Sequence, residues 1–249
     1  HLVPSAVAVP VDAEDVATLT AWAAAEGVSL VPRGGGTGMP GGNVGTGVAV
    51  DLTRLAATRV HPDGTLEAGP GVTGTALDEA ARVRGRFFPP LPSSAARCTV
   101  GGMVANNAAG VRTFRHGPVR PWVASLDVVL ADGSLVRLER GQAEPRFRAL
   151  RDEITALPGM APLAWPAVRK NSSGYALDAF LPGGDPVALL VGSEGTLGIL
   201  TSVRFRLAPE PEARALAAVP LRELDALDVL AREARRLGAS ACEFFGPRF

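Results

Sequence analysis

Residues 31–39 read VPRGGGTGM, and the three consecutive glycines at 34–36 constrain what this chain can fold into more than any other feature. Each glycine held in one conformation costs roughly 0.5–1 kcal/mol more than alanine, so neither a helix nor a central strand tolerates such a run. The chain must form a shaped loop here, close to something that leaves no room for side chains. Backbone N–H groups turned into one concavity surround phosphate oxygens in this way, with Arg33 or Thr37 available as further donors; a flexible hairpin loop is the other use of such a run. Pro40, Gly41, Gly42 and Asn43 follow where a helix opens in the dinucleotide fingerprint G-x-G-x-x-G, which disfavours a nicotinamide-binding Rossmann fold.

The remaining glycines and prolines, out of 29 and 21, punctuate apolar periodic segments and predict many short elements joined by tight loops. A strand is expected at 5–10, then a helix at 12–27 with Asp12 as N-cap, Glu14 and Asp15 at its positive end and Gly27 as terminator. A strand at 29–32 delivers the chain into the glycine run, and a third at 47–55 returns, with Asp51 near its end. Further on the pattern predicts a strand at 66–71, a helix at 73–85, a hairpin at 125–139 around an Ala-Asp-Gly turn, and a helix at 146–157. Residues 187–211 read as strand, glycine turn, strand; 215–220 as a strand; and 221–238 as an amphipathic helix. The length of 249 residues and an apolar fraction of 47% suit one large domain or two small ones with a real core.

Composition removes several classes of function. The 25 Lys and Arg balance the 25 Asp and Glu, so no excess charge draws the chain to nucleic acid or an anionic membrane. No segment approaches the roughly 20 uninterrupted apolar residues of a membrane span. Three histidines (His1, His61, His116) and two cysteines (Cys98, Cys242) are too scattered for a metal site or a disulfide framework, and point to a reducing cytoplasm, with a peripheral place at the inner face of the membrane left open.

A second passage, PSSAARCTVGGMVANNAAG at 92–110, offers hydroxyls, amides and bare backbone with little bulk; close helix packing is its plainer reading. A third, GSEGTLGI at 192–199, sets a carboxylate between glycines. Three such loops suggest a long ligand threaded between two lobes. In this order and at these separations the passages resemble the FAD-binding, PCMH-type domain of the vanillyl-alcohol-oxidase flavoprotein family, nearest to the D-lactate, glycolate and D-2-hydroxyglutarate dehydrogenases, over about residues 5–211. LADGS at 130–134 and KNSSGYALDAF at 170–180 support the likeness.

That resemblance implies an α+β, two-lobed FAD-binding domain, with lobes of about 1–85 and 86–212 and with 213–249 as the start of a truncated substrate domain. It implies that Pro32, Arg33, Gly34, Gly35, Gly36, Thr37 and Gly38 wrap the FAD diphosphate with backbone amides. Ser93 and Ser94 through Thr99 would run beside the flavin and ribityl chain, and Gly101 and Gly102 would continue the phosphate cradle. Asn106, Asn107 and Ala109 would lie near the flavin, while Glu194, Gly195 and Ile199 would close over the adenosine. Thr37 stands where relatives with histidyl-linked flavin carry their histidine, so FAD is expected to be non-covalent and Cys98 a buried thiol.

The implied activity is oxidation of a D-2-hydroxy acid such as glycolate or D-lactate, with hydride transfer to FAD and a quinone, an iron–sulfur subunit or oxygen as electron acceptor. The catalytic residues are not identifiable. Arg112, Arg115 and His116 read as a solvated basic turn or a carboxylate site, Lys170 and Tyr175 as a flavin-side pair or a packed loop, and His61 as ordinary surface. The alternatives are a flavoenzyme like UDP-N-acetylenolpyruvoylglucosamine reductase, which lacks the SEGTLGI passage, a non-catalytic FAD-carrying subunit, and a nucleotide-binding module without flavin.

Overall fold

The computed structural model describes residues 2–142, 144–158, 165–166, 168 and 170–246. The chain begins with strand β1 (Ala6–Ala8), helix α1 (Ala13–Glu26), and strands β2 (Leu30–Arg33), β3 (Val48–Asp51), β4 (Thr58–Val60) and β5 (Leu66–Ala68). Helix α2 (Gly74–Arg82), strand β6 (Arg86–Phe87), and helices α3 (Val100–Ala105) and α4 (Thr113–His116) follow. Next come strands β7 (Val123–Val129) and β8 (Leu135–Glu139), then helices α5 (Pro145–Ala156), α6 (Leu177–Phe180) and α7 (Pro186–Leu190). Strands β9 (Ile199–Phe205) and β10 (Ala208–Pro209) and helix α8 (Ala226–Arg236) complete the described elements. This is an α+β fold, as expected.

The first lobe is a parallel sheet in the order β1-β3-β2. Its first crossover is α1, capped where the Asp12 carboxylate accepts the Asp15 N–H at 2.9 Å and stopped by Gly27 at φ 66°. Parallel neighbours need a crossover of about a dozen residues, usually a helix. Between β2 and β3 residues 34–47 make that crossing without one, so the glycine run lies where the chain leaves one strand and must return to the start of the next.

The second lobe is an antiparallel sheet in the order β4-β5-β9-β7-β8. Because β4 and β5 pair into this sheet, the lobe boundary expected near residue 85 moves back to the 52–57 turn. The β7-β8 hairpin is the predicted one; Asp132 accepts the Ser134 N–H and hydroxyl, and its tip packs so tightly on α1 that a Cβ on Gly133 would meet Ala21 Cβ at 2.7 Å. Val16, Val50, Leu52, Leu55, Val129 and Ile199 form a small core of side chains from both lobes. The larger core packs α2, α3 and α7 on the second sheet around Leu66, Leu77, Phe88, Met103 and Phe205, with Phe88 edge-on to Phe205 at 4.8 Å between ring centres.

Two expectations are corrected. The first half of 187–211 is helix α7, not a strand: Asp185 caps it through the Val187 and Ala188 N–H groups, Pro186 opens it, and all five of its residues are buried. A short apolar run reads the same in a buried strand and a buried helix, and the Asp-Pro start was the discriminating signal. Residues 215–220 form no strand and are exposed. No described helix is long and apolar enough to cross a membrane.

Candidate cofactor site

All three glycine passages line one cleft of about 340 Å³, with residues 32–40 and Leu52 from the first lobe and residues 92–109 and 194–200 contributing from the second. In the first passage the N–H groups of Gly34, Gly35, Gly36, Thr37 and Gly38 donate to no backbone carbonyl among the described residues. Five adjoining amides bordering a cleft and left without acceptors form a preorganised donor set for an anion.

Packing also uses the missing side chains. An added Cβ at Gly34 would overlap Thr99 Oγ1, and one at Gly35 would overlap the Arg97 carbonyl oxygen. Part of the glycine run is therefore required by the second passage pressing on the first. Arg33 braces the loop by donating to the Asn43 carbonyl at 3.1 Å, and Gly36 adopts φ 68° beside its guanidinium.

The second passage begins as a tight turn in which the Ser94 carbonyl accepts the Arg97 and Cys98 N–H groups, both at 2.8 Å. Thr99 follows, 3% exposed and lining the cleft, and its buried Oγ1 has no hydrogen-bond partner. Such a group costs about 1–3 kcal/mol unless a ligand satisfies it. Helix α3 then brings its first turn against Pro70. The Gly101 N–H donates to the Pro70 carbonyl at 2.9 Å, and a Cβ there would meet Pro70 Cβ at 2.8 Å. Gly101 thus lines the cleft with its amide already committed, which corrects its expected place in the phosphate cradle; Gly102, Asn106, Ala108 and Ala109 line it as well.

The third passage is stitched to the end of α3. Gly192 N–H donates to Val104 O at 3.0 Å and Glu194 N–H to Ala105 O at 2.9 Å. Glu194 holds φ 55° and Asn107 φ 44°, the non-glycine positive-φ positions among the described residues, and both lie at this seam. Asn107 is fully buried; its Oδ1 accepts the Arg120 N–H at 2.9 Å, and its Nδ2 has no partner. The Arg120 guanidinium donates to Val191 O at 3.0 and 3.3 Å, directly before the third passage. Burial lowers the pKa of this guanidinium, Asp178 raises it and Arg140 lowers it further, and the net shift is downward.

Of the residues expected at the site, Pro32, Arg33, Gly34, Gly35, Gly36, Thr37, Gly38, Ser94, Thr99, Gly101, Gly102, Asn106, Ala109, Glu194 and Gly195 line the cleft. Ser93 and Asn107 do not, and Ile199 is buried in the small core shared by the lobes. Met39, Pro40, Gly42, Asn43, Pro70 and Lys170 join the lining. Of these, PGGN directly after the glycine run carried a signal of its own, whereas Pro70 arrives only through tertiary packing. Cys98 is 6% exposed, and burial pushes its thiol above the ordinary value despite hydrogen bonds with Ser94 and Gly74.

Arg112, Arg115 and His116 lie outside the cleft. Arg112 stacks over Phe87 at 5.1 Å, His116 packs edge-on to Phe87 and Trp122, and Arg115 donates to Gly238 O. His61 is not ordinary surface: its side chain is only 15% exposed and its Nε2 lies 2.9 Å from Glu67 Oε2. No group of three or more described His, Cys, Asp or Glu is placed to hold a metal ion.

Comparison with known proteins agrees with this geometry. The FAD binding domain family matches residues 4–139. D-lactate dehydrogenase of Archaeoglobus fulgidus is 34% identical over 243 residues, 96% of this chain and 47% of that protein. D-2-hydroxyglutarate dehydrogenase of Xanthomonas citri pv. viticola is 33% identical over 250 residues, 98% of this chain and 46% of that protein. The chain thus spans less than half the length of these curated relatives. The crystal structure of 6-hydroxy-D-nicotine oxidase from Arthrobacter nicotinovorans shares the fold, with a TM-score of 0.60 at 17% identity over 83% of this chain and 37% of that one. The flavoprotein resemblance carried by the three glycine passages is borne out, and the chain belongs to the FAD binding domain family.

Proposed function

We propose that the cleft holds FAD non-covalently and that the protein uses it to oxidise a D-2-hydroxy acid such as D-lactate, D-2-hydroxyglutarate or glycolate. The observation that carries this reading is the row of undonated amides from Gly34 to Gly38 bordering a cleft that the second and third passages also line. Such a row of free donors suits a diphosphate. Once bound, FAD supplies the redox chemistry by accepting a hydride equivalent from the carbon that bears the alcohol.

The chain's own residues bind and orient. Pro32 and Arg33 set the mouth of the first loop, and the amides of Gly34, Gly35, Gly36, Thr37 and Gly38 donate to the diphosphate. Thr99 and Gly102 face it from the second loop. Ser94, Asn106 and Ala109 border the flavin and ribityl chain, and Glu194 and Gly195 close over the adenosine. Thr37 and the neutral, buried Cys98 offer no histidyl or thiolate nucleophile for a covalent link.

Residues 213–249 we read as the start of a domain that covers the substrate, since no described residue between 211 and 246 is buried. No general base is assigned to this chain. Electrons pass on to a quinone or an iron–sulfur partner, in the cytoplasm or at the inner face of its membrane. The relatives' names support the substrate class, and the third passage in the cleft favours this group over the UDP-N-acetylenolpyruvoylglucosamine reductase type.

The test is anaerobic mixing of FAD-loaded protein with D-lactate, D-2-hydroxyglutarate and glycolate in turn. Bleaching of the visible flavin absorbance by one of them supports the proposal. Bound FAD that dithionite reduces but none of the three acids reduces would instead indicate a carrier, and protein that takes up no FAD would contradict the reading outright.

A further inference from the structure

Of the 25 Lys and Arg residues in this chain, one is a lysine, Lys170; the other 24 are arginines. Arginine or histidine is the cation in every ion pair among the described residues. A chain so committed to arginine has no compositional reason to place a lysine anywhere, and it places its single one in the lining of the cofactor cleft. No hydrogen bond or ion pair to Lys170 forms among the described residues, although the cleft also contains the carboxylate of Glu194. The segment after it is held in place. Asn171 Oδ1 accepts the Ser173 N–H at 3.1 Å, and the Tyr175 hydroxyl lies 2.7 Å from Thr196 Oγ1, itself bonded to Ser193 O in the third passage.

We infer that Lys170 is the counter-cation of the bound cofactor, its ammonium set against a negatively charged group of FAD. The inference rests on the reading of the cleft as an FAD site and adds a charge to it. The amides of the first loop are neutral donors, whereas a diphosphate brings two negative charges and a reduced flavin ring brings one. Arg33 donates one guanidinium N–H to the neutral Asn43 carbonyl and braces the loop, Glu194 has the wrong sign, and Lys170 is the cation of the lining that makes no hydrogen bond or ion pair among the described residues. A compact ammonium on a flexible stem can reach an anion in a cleft walled by glycine and alanine.

Two sources of the negative charge are distinguishable in one set of measurements on the full chain: FAD titration at low and high salt, and the midpoint potential of the bound flavin, for wild type, Lys170→Met and Lys170→Arg. If the diphosphate is the partner, Lys170→Met binds FAD about tenfold more weakly at low salt and the deficit shrinks as salt rises. If the reduced ring is the partner, Lys170→Met binds oxidised FAD normally and its midpoint falls, a tenfold weaker hold on the reduced form being about 30 mV for a two-electron couple. In either case Lys170→Arg keeps most of the wild-type behaviour, because it keeps the charge. The inference is overturned if Lys170→Met matches wild type in affinity and potential, if the Met and Arg variants lose equally, or if the loss ignores salt while the potential stays put. Wild-type chain that binds no FAD overturns the cofactor reading and this assignment together, whereas normal wild-type binding with an unaffected Lys170→Met overturns the assignment alone.

Discussion

Thr99 and Gly35 show two different demands placed on the same few residues. The hydroxyl of Thr99 is buried against Gly34 without a partner among the described residues, so it weakens the fold unless a bound anion comes to satisfy it. Thr99→Val is therefore expected to leave the thermal midpoint of the FAD-free protein unchanged or raised while weakening FAD binding about fivefold to tenfold, read by calorimetry and by flavin fluorescence titration. Gly35 answers to packing instead. With the Arg97 carbonyl where its Cβ would go, Gly35→Ala should cost about 1–3 kcal/mol in urea unfolding of the FAD-free chain, a loss that Thr99→Val does not share. The glycine run advertised a close approach in the sequence, but not that a neighbouring loop is one of the things approaching. That information lies in tertiary contact between residues more than sixty positions apart, beyond any local pattern. Asn107 was misplaced for the same reason: its amide looks like a ligand group in NNAAG, whereas the fold turns it inward to hold Arg120.

Loops that border the cleft are kept in register by elements that do not touch it. The Arg120 guanidinium, bonded to Val191 O, and the Asn107 carboxamide, bonded to Arg120 N–H, tie the second passage to the third. Arg120→Lys loses the fork, and hydrogen exchange should then quicken at 192–196 while the β7-β8 hairpin stays protected. A second device sits at the end of α4, where burial, reinforced by Arg115 and Arg112, holds the His116 imidazole below its ordinary value. The unfolded chain then binds a proton that the folded chain refuses, so this stability is present above the ordinary value and lost as pH falls below it. The urea midpoint should drop between about pH 7.5 and about pH 5.5, and His116→Gln should flatten part of that slope. Helices with caps and terminators, such as α1 and α2, were legible in advance because their signals are local. Helix α3 was not, since VGGMVA has weak propensity and holds its shape against Pro70 and the third passage.

Two lobes joined by a small shared core enclose one cofactor cleft, and beyond residue 210 the described chain leaves the core altogether. Trypsin is accordingly expected to cut first at Arg214 or Arg222, both exposed or half-exposed in a stretch with no regular structure, and the remaining body should retain FAD binding. The α+β class and the meeting of three distant glycine passages at one site could be anticipated, because each passage announces a bare loop and their order matches a known pattern. The membership of β4 and β5 in the second sheet could not, since strand pairing across more than 130 residues leaves no mark on either short segment. We propose that the amides of residues 34–38 grip a diphosphate. Backbone amide NMR of the isotopically labelled chain during titration with FAD, ADP and riboflavin tests that grip. The expected result is large shifts at Gly34, Gly35, Gly36, Thr37 and Gly38 with FAD and with ADP, and none at those five positions with riboflavin, which carries no phosphate. Shifts that fall elsewhere, or that riboflavin reproduces, would contradict it.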